Sequence, residues 1–113
     1  MFTTANEAYA KEVTAKMAGI DYLLYRQHAV RLKNGMVKDL SRLGRNLNKT
    51  VIVDDQSSNY RSNRDNGIKI LSWKGDKMDM QLDRIKEFLL HLAQMECPDV
   101  KKEIPVFKQQ QFK

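Results

Sequence analysis

Two adjacent carboxylates, Asp54 and Asp55, are the side chains whose position most favours a functional site in this chain. They follow Thr50–Val53, a β-branched run that is apolar on both faces, which is typical of a strand in the middle of a parallel sheet. The carboxyl edge of such a sheet is where α/β proteins usually build their sites. The residues alone leave two interpretations open: the pair belongs to such a site, or it caps the polar loop of residues 56–67.

Positive charge is concentrated in one part of the chain. Most of the net charge of +6 arises between Arg26 and Lys49, where seven Lys or Arg accompany one acid, Asp39. Such a stretch either meets an acidic protein partner or phosphate groups, or it is an ordinary solvated face. Interleaved aromatic residues, zinc-finger spacing and a recognition-helix pattern are missing there, so we do not expect a nucleic-acid partner.

Several other kinds of site are excluded by the residues present. A single cysteine, Cys97, excludes an internal disulfide and a cysteine-based zinc site. The longest apolar runs, such as Ile20–Tyr25, are far shorter than the roughly 20 residues that cross a bilayer. The first residues contain neither a basic stretch before an apolar core nor an Arg-rich amphipathic helix, so no targeting signal is expected within this chain.

The first elements along the chain are a helix and a strand. The spacing of Thr4–Glu7 is that of a capping box and predicts a helix over residues 5–18, before Gly19. An apolar face recurring every four residues is expected along it: Tyr9, Val13 and Met17. Ile20–Tyr25 is rich in aromatic and aliphatic residues and predicts a buried strand.

A β-hairpin is expected next, because two short strand-like segments, His28–Leu32 and Met36–Lys38, flank the turn sequence Lys33–Gly35. Asn-Gly tolerates positive φ at both turn positions, which favours a tight hairpin turn. The segments also carry several basic side chains, so we expect much of the hairpin to be exposed: Arg31, Lys33 and Lys38.

The second half of the chain continues the alternation of strands and helices. Gly67–Leu71 predicts a strand, and a helix capped by Asp76 or Asp79 follows. The apolar stripe expected on that helix consists of Leu82, Ile85, Phe88, Leu89 and Leu92. After Pro98, residues 99–104 predict a short final helix. This alternation indicates an α/β protein.

Three stretches in this order and spacing carry a resemblance: Lys38–Leu47, Val51–Asp55, and Asn66–Ile68 followed by Ser72 and Trp73. The chain resembles the haloacid-dehalogenase-like (HAD-like) domain. Polymerase-tail phosphatases share that domain with the Tim-fifty receptor of the mitochondrial inner-membrane translocase. The resemblance covers nearly all of residues 1–107.

Two branches of that family compete, and two segments favour the receptor branch. Trp73–Asp76 is similar to the receptor's tryptophan–glycine stretch, where polymerase-tail phosphatases usually carry an aromatic and acidic sequence. Phe88–Ala93 and Asp99–Lys101 resemble the receptor's extension beyond the phosphatase core. The resemblance therefore implies a Rossmann-like α/β fold with a parallel sheet, helices and a β-hairpin, truncated at its N-terminus. Residues 1–107 would be the C-terminal part of the domain, and residues 108–113 a polar tail.

The resemblance also assigns motif positions. Family phosphatases need an aspartate nucleophile and a second aspartate two residues later, and no Asp-x-Asp-x-Thr occurs in this chain. Thr3 falls at the Ser/Thr motif, Lys38 at the lysine motif, and Asp54 with Asp55 at the metal motif. We expect all four to be vestigial, with no catalytic residue and no cofactor. Magnesium would be required only if the chain were part of a phosphatase.

The function implied by the resemblance is that of a binding subunit rather than an enzyme. The receptor branch implies a mitochondrial inner-membrane protein facing the intermembrane space, where it takes presequence-bearing precursors and passes them to the channel-forming translocase subunit. The alternative is a fragment of a magnesium-dependent HAD-type serine/threonine phosphatase. Presequences are basic helices, so we expect their contacts near Asp54, Asp55 and Asp76. The hairpin is our candidate for docking the channel subunit: Arg31, Leu32, Lys33, Asn34 and Gly35.

Overall fold

The computed structural model of the chain describes residues 1–111. Within it the chain divides into two compact units, an N-terminal unit, Met1–Asp39, and a C-terminal unit, Leu40–Lys113. The expected α/β character is confirmed, because each unit combines helical segments with strand pairing.

In the N-terminal unit, helix α1 is shorter than expected and runs over Glu7–Thr14. Its N-cap is Asn6, whose side-chain oxygen accepts from the Tyr9 backbone N–H at 2.9 Å, so the helix begins later than Thr4 predicted. The Thr14 hydroxyl donates back to the Ala10 carbonyl at 2.9 Å in the last turn. Ala10 is the buried residue of the helix, whereas Tyr9 is 60% exposed, so the expected apolar face was wrong.

The strand expected at Ile20–Tyr25 is reduced to a single parallel bridge between Leu24 and Phe2. Two backbone hydrogen bonds hold this bridge, from Thr3 N to Leu24 O at 3.0 Å and from Leu24 N to Met1 O at 2.8 Å. The segment is not a buried strand, because Tyr22 is 70% exposed. What remains of the expected strand is this one parallel bridge, and the chain between its two residues passes through α1.

The predicted hairpin is confirmed. Strand β1, Val30–Leu32, pairs antiparallel with strand β2, Gly35–Val37, and the register places Leu32 opposite Gly35. Gly35 has φ +124°, a conformation that side-chain-bearing residues rarely adopt. The Asn-Gly dipeptide therefore located the hairpin, but positive φ occurs at Gly35 and not at Asn34, and the two residues between the strands are Lys33 and Asn34.

In the C-terminal unit, strand β3, Ile52–Asp54, pairs in parallel with strand β4, Gly67–Lys69. The register places Asp54 opposite Lys69, and Ile70 N extends the pairing by donating to Asp54 O at 3.0 Å. Among the described residues β3 has one strand neighbour rather than the two expected in the middle of a sheet. The connection between the strands is a run of 3₁₀ turns, Ser57–Asn66, where the sequence predicted only a polar loop.

Helix α2, Gln81–Gln94, and helix α3, Val100–Gln111, supply most of the main core. The Phe88 and Phe107 rings stack with centroids 4.3 Å apart. The predicted stripe on α2 is confirmed except at Leu82, which is 68% exposed. The buried members of this core are Ile68, Ile85, Leu92, Cys97, Val100, Ile104 and Phe107.

Helix α3 is longer than the short helix expected at residues 99–104 and includes residues 108–111 of the predicted polar tail. The rest of that tail, residues 112 and 113, lies outside the described residues. Near the start of α3 the backbone N–H of Lys101 donates to Asp99 Oδ1 at 3.0 Å, so Asp99 caps the helix. Within residues 1–111, no helix has the length and apolar character needed to cross a membrane.

Candidate functional site

Asp54, at the end of β3, is buried and holds the chain that follows it. Its Oδ1 accepts from the Gln56 backbone N–H at 3.0 Å. The Asn59 side-chain amide lies 3.3 Å from each of the two carboxylate oxygens. The carboxylate therefore anchors the start of the 3₁₀ run after β3, which is the capping role that the sequence left open.

Asp55 points to a different partner. It is exposed, and its Oδ2 accepts from the Ser72 hydroxyl at 2.9 Å. Ser72 lies just beyond β4, so this hydrogen bond joins the segments that follow the two parallel strands. The adjacent carboxylates thus stabilise two separate pieces of chain at one edge of the sheet.

The described residues do not by themselves make up a magnesium site. Within residues 1–111, no group of three or more His, Cys, Asp or Glu side chains is placed to hold a metal ion. Both oxygens of Asp54 also face the Asn59 amide, a donor that would compete with a cation. We therefore derive no phosphoryl-transfer step through these carboxylates.

Tyr60 lies under this edge and packs over β4. It is buried with Leu40 and Ile52 in a second, smaller core. Burial raises the pKa of Tyr60 above its ordinary value of 10.0, the negative charge of Asp54 raises it further, and Arg64 opposes both. The ring is thus held in its neutral form beside a buried carboxylate.

Three asparagines in the 3₁₀ run stabilise the fold through side-chain hydrogen bonds that were not predicted from the sequence. Asn66 is 2% exposed and its side-chain amide donates to Leu47 O at 2.6 Å and Thr50 O at 2.8 Å. Asn63 Oδ1 accepts from the Leu40 backbone N–H at 3.0 Å, and Asn59 contacts Asp54 as described.

The two motif positions of the N-terminal unit have different environments. The Thr3 Oγ1 accepts from the Ala5 backbone N–H at 3.1 Å, so the hydroxyl caps a turn before α1. Lys38 is 8% exposed, which corrects the expectation of a surface charge on the hairpin. A lysine is buried to this extent only when its ammonium group is paired.

The hairpin residues proposed for partner docking are exposed. Leu32, at the end of β1, is 44% exposed. Arg31 and Lys33 flank it, and both are exposed as well. The tip therefore presents one apolar side chain between two cations.

Comparison with known proteins gives one family match. The family described as NLI interacting factor-like phosphatase matches residues 1–101. The match takes in β1 to β4 and α2, and it ends just after the start of α3 at Val100.

Among curated proteins, two fungal relatives are named mitochondrial import inner membrane translocase subunit. The subunit tim50 of Neurospora crassa is 34% identical over 113 residues, which is 97% of this chain and 21% of that protein. The subunit TIM50 of Gibberella zeae is 37% identical over 111 residues, 95% of this chain and 21% of that protein. The chain therefore spans about a fifth of the length of these relatives.

A phosphatase-like relative is comparably similar but matches less of the chain. CTD small phosphatase-like protein 2 of Dictyostelium discoideum is 36% identical over 99 residues, which is 85% of this chain and 18% of that protein. Identity alone does not separate the two kinds of relative, whereas the matched share of the chain differs by about a tenth.

Proposed function

This chain belongs to the NLI interacting factor-like phosphatase family, and from that membership we propose that it is part of a binding subunit of the mitochondrial presequence translocase. The observation that carries the proposal is the share of the chain that each relative matches. The translocase subunits match 95–97% of the chain, so the unmatched residues are too few to include most of α3. The family match ends at residue 101, and the phosphatase-like relative matches 85% of the chain.

The location we propose follows from the same relatives, whose names place them at the mitochondrial inner membrane. We place this part of the protein on the side facing the intermembrane space, where precursors arrive. Residues 1–107 would form the C-terminal part of the phosphatase-like domain. In this arrangement the domain is a binding surface built on a phosphatase fold.

Two partners are proposed, a channel-forming translocase subunit and presequence-bearing precursors. The exposed hairpin tip is our candidate for the channel subunit, with Leu32 as the apolar contact and Arg31 and Lys33 as flanking charges. An apolar anchor surrounded by charges is a usual arrangement of a protein interface. Thr3, Lys38, Asp54 and Asp55 would be vestigial motif positions that now stabilise the fold.

A magnesium-dependent phosphatase is the second candidate, and one observation favours it: the strand-end pair of Asp54 and Asp55 is present at the expected edge. The chain contains no Asp-x-Asp-x-Thr, so a phosphatase of this family would need its aspartate nucleophile from another part of the protein. The Asp54 carboxylate is also engaged by backbone and amide donors. A binding role requires neither a nucleophile nor a metal.

The proposal is tested in two assays. In the first, the purified chain is titrated against the soluble segment of the channel-forming subunit, and saturable binding is expected. In the second, the full-length protein that contains this chain is incubated with p-nitrophenyl phosphate and Mg²⁺, and no turnover above a blank is expected. Turnover that disappears on chelation of Mg²⁺, without binding in the first assay, would replace the receptor proposal with the phosphatase.

A further inference from the structure

The dipeptide Asn-Gly occurs twice in the chain, and the structure gives its two copies opposite environments. Asn34–Gly35 lies at the tip of the hairpin, whereas Asn66–Gly67 joins the 3₁₀ run to β4. Asparagine before glycine is chemically labile, because the unhindered glycine nitrogen can attack the side-chain amide carbon of the asparagine. The sequence therefore makes the two asparagines equivalent, and only their surroundings distinguish them.

The reaction at such a dipeptide is intramolecular and needs only water as a co-reactant. The glycine backbone nitrogen loses its proton and forms a bond to the asparagine Cγ, the bond from Cγ to Nδ2 breaks, and the amide nitrogen leaves as ammonia. Water then opens the five-membered succinimide at either carbonyl carbon and gives aspartate or isoaspartate. The asparagine side chain must therefore rotate over the glycine nitrogen, and that nitrogen must be able to give up its proton.

Asn66–Gly67 meets neither condition in the folded chain. Asn66 is 2% exposed, and its amide nitrogen, the leaving group of the reaction, donates to two backbone carbonyls at 2.6 and 2.8 Å. The Gly67 N–H donates to the Arg64 carbonyl, and the Tyr60 ring covers Gly67. Rotation of the Asn66 side chain would break both of its hydrogen bonds and leave buried carbonyls unpaired. Reaction at Asn66 therefore requires the surrounding segment to unfold.

Asn34–Gly35 meets both conditions through a local fluctuation of the hairpin. Both residues are exposed, and a Cβ built on Gly35 would meet no atom within 4 Å beyond its chain neighbours. The hairpin contains three residue pairs, and Gly35 belongs to the last one, opposite Leu32 and next to the loop. The end pair of so short a hairpin opens without unfolding the rest of the chain.

We propose that Asn34 is a site of spontaneous deamidation in the folded chain and that the fold protects Asn66. The product carries a new carboxylate beside two exposed cations, Arg31 and Lys33. Isoaspartate also adds the Cβ to the main chain and so lengthens the two-residue loop of the hairpin. A second consequence rests on the proposed function: because the hairpin tip is the proposed docking surface, deamidation lowers the positive charge that this surface presents to its partner.

The test compares the two asparagines within the same molecules. The full-length protein that contains this chain is aged at mildly alkaline pH, with and without urea, and peptide mass spectrometry with fragmentation measures conversion at each site against a fresh sample. In the folded protein Asn34 should convert at least about tenfold faster than Asn66, since only Asn66 requires unfolding. In urea the two should convert at similar rates. Equal conversion in the folded protein, or conversion of Asn34 only in urea, would overturn the proposal.

The consequence for docking is measured by binding to the soluble segment of the channel-forming subunit. Aged wild-type protein should bind about two- to fivefold more weakly than fresh protein at low salt, because the new carboxylate offsets one cation of the tip.

Asn34→Gln is the control, since its longer side chain would have to close a less favourable six-membered ring, and ageing should leave its binding unchanged. Conversion of Asn34 without any change in binding would contradict the docking consequence alone. Absence of binding by fresh protein would contradict the proposed docking and not the deamidation, whereas absence of conversion at Asn34 would contradict the deamidation and not the docking.

Discussion

The ring of Tyr60 covers Gly67 so closely that no side chain fits at residue 67. A Cβ built on Gly67 would lie 2.6 Å from Tyr60 Cζ and closer still to Cε2 and Cδ2. Gly67 is the first residue of β4, opposite Ile52 of β3. The glycine is therefore required by packing, and the contact fixes the 3₁₀ run against the sheet edge that carries Asp54.

Gly67→Ala should accordingly destabilise the chain by about 1–3 kcal/mol, because the added methyl group overpacks a buried aromatic ring. Urea unfolding followed by circular dichroism measures the change. The double variant Gly67→Ala with Tyr60→Ala is the control: once the ring is gone, adding the methyl group should cost much less than it does in the wild-type background. An equal cost in both backgrounds would show that the clash does not exist.

Asn66→Ala should cost about 1–3 kcal/mol, because it leaves the carbonyl oxygens of Leu47 and Thr50 without the buried amide that they accept from. The same unfolding experiment measures this. Gln94→Ala, at an exposed position near the end of α2, serves as the control and should change the free energy of unfolding little. Equal stability of the two variants would contradict the bridging role of Asn66.

Tyr60 is expected to make the free energy of unfolding depend on pH in the alkaline range. Its pKa is raised in the folded state, first by burial and then by Asp54, so the folded chain holds the phenolic proton more tightly than the unfolded chain. This contribution is complete below the unfolded value of 10.0 and is lost as the pH rises through the folded pKa.

The free energy of unfolding should therefore fall more steeply between about pH 9 and about pH 11 in the wild type than in Tyr60→Phe. Parallel curves for wild type and Tyr60→Phe would mean that the phenol of Tyr60 titrates as it does in the unfolded chain.

At the hairpin, Arg31→Ala with Leu32→Ala should weaken binding to the channel-forming subunit about tenfold, since the change removes an apolar contact and an adjacent charge. Lys16→Ala with Met17→Ala removes the same two kinds of exposed side chain from the same unit and should have no effect. Surface plasmon resonance with the soluble segment of the channel subunit distinguishes them. Undiminished binding of the hairpin variant would assign the docking to another surface.

Elements defined by local chemistry were predictable from the sequence. The hairpin followed from Asn34 and Gly35, because a turn with positive φ depends on the residues within it. Helix α2 followed from its apolar repeat, and the parallel strand β3 from its β-branched run. In each case the deciding interactions lie within a few residues of one another or on one repeating face.

Features that depend on distant parts of the chain were not predictable. Asn66 donates to carbonyls 16 and 19 residues earlier, and Asn63 accepts from a backbone N–H 23 residues earlier. A polar composition alone predicted a loop there, because nothing local shows that an amide will be buried. The burial of Lys38 was missed for the same reason.

The most direct test of the central claim is to tag the protein that contains this chain in its own organism and purify it from mitochondria in mild detergent. Mass spectrometry then identifies what is bound to it. We expect the channel-forming translocase subunit to be recovered with it, and a precursor arrested during import to be cross-linked to it. Absence of the protein from mitochondria, or its purification without any translocase subunit, would contradict the account.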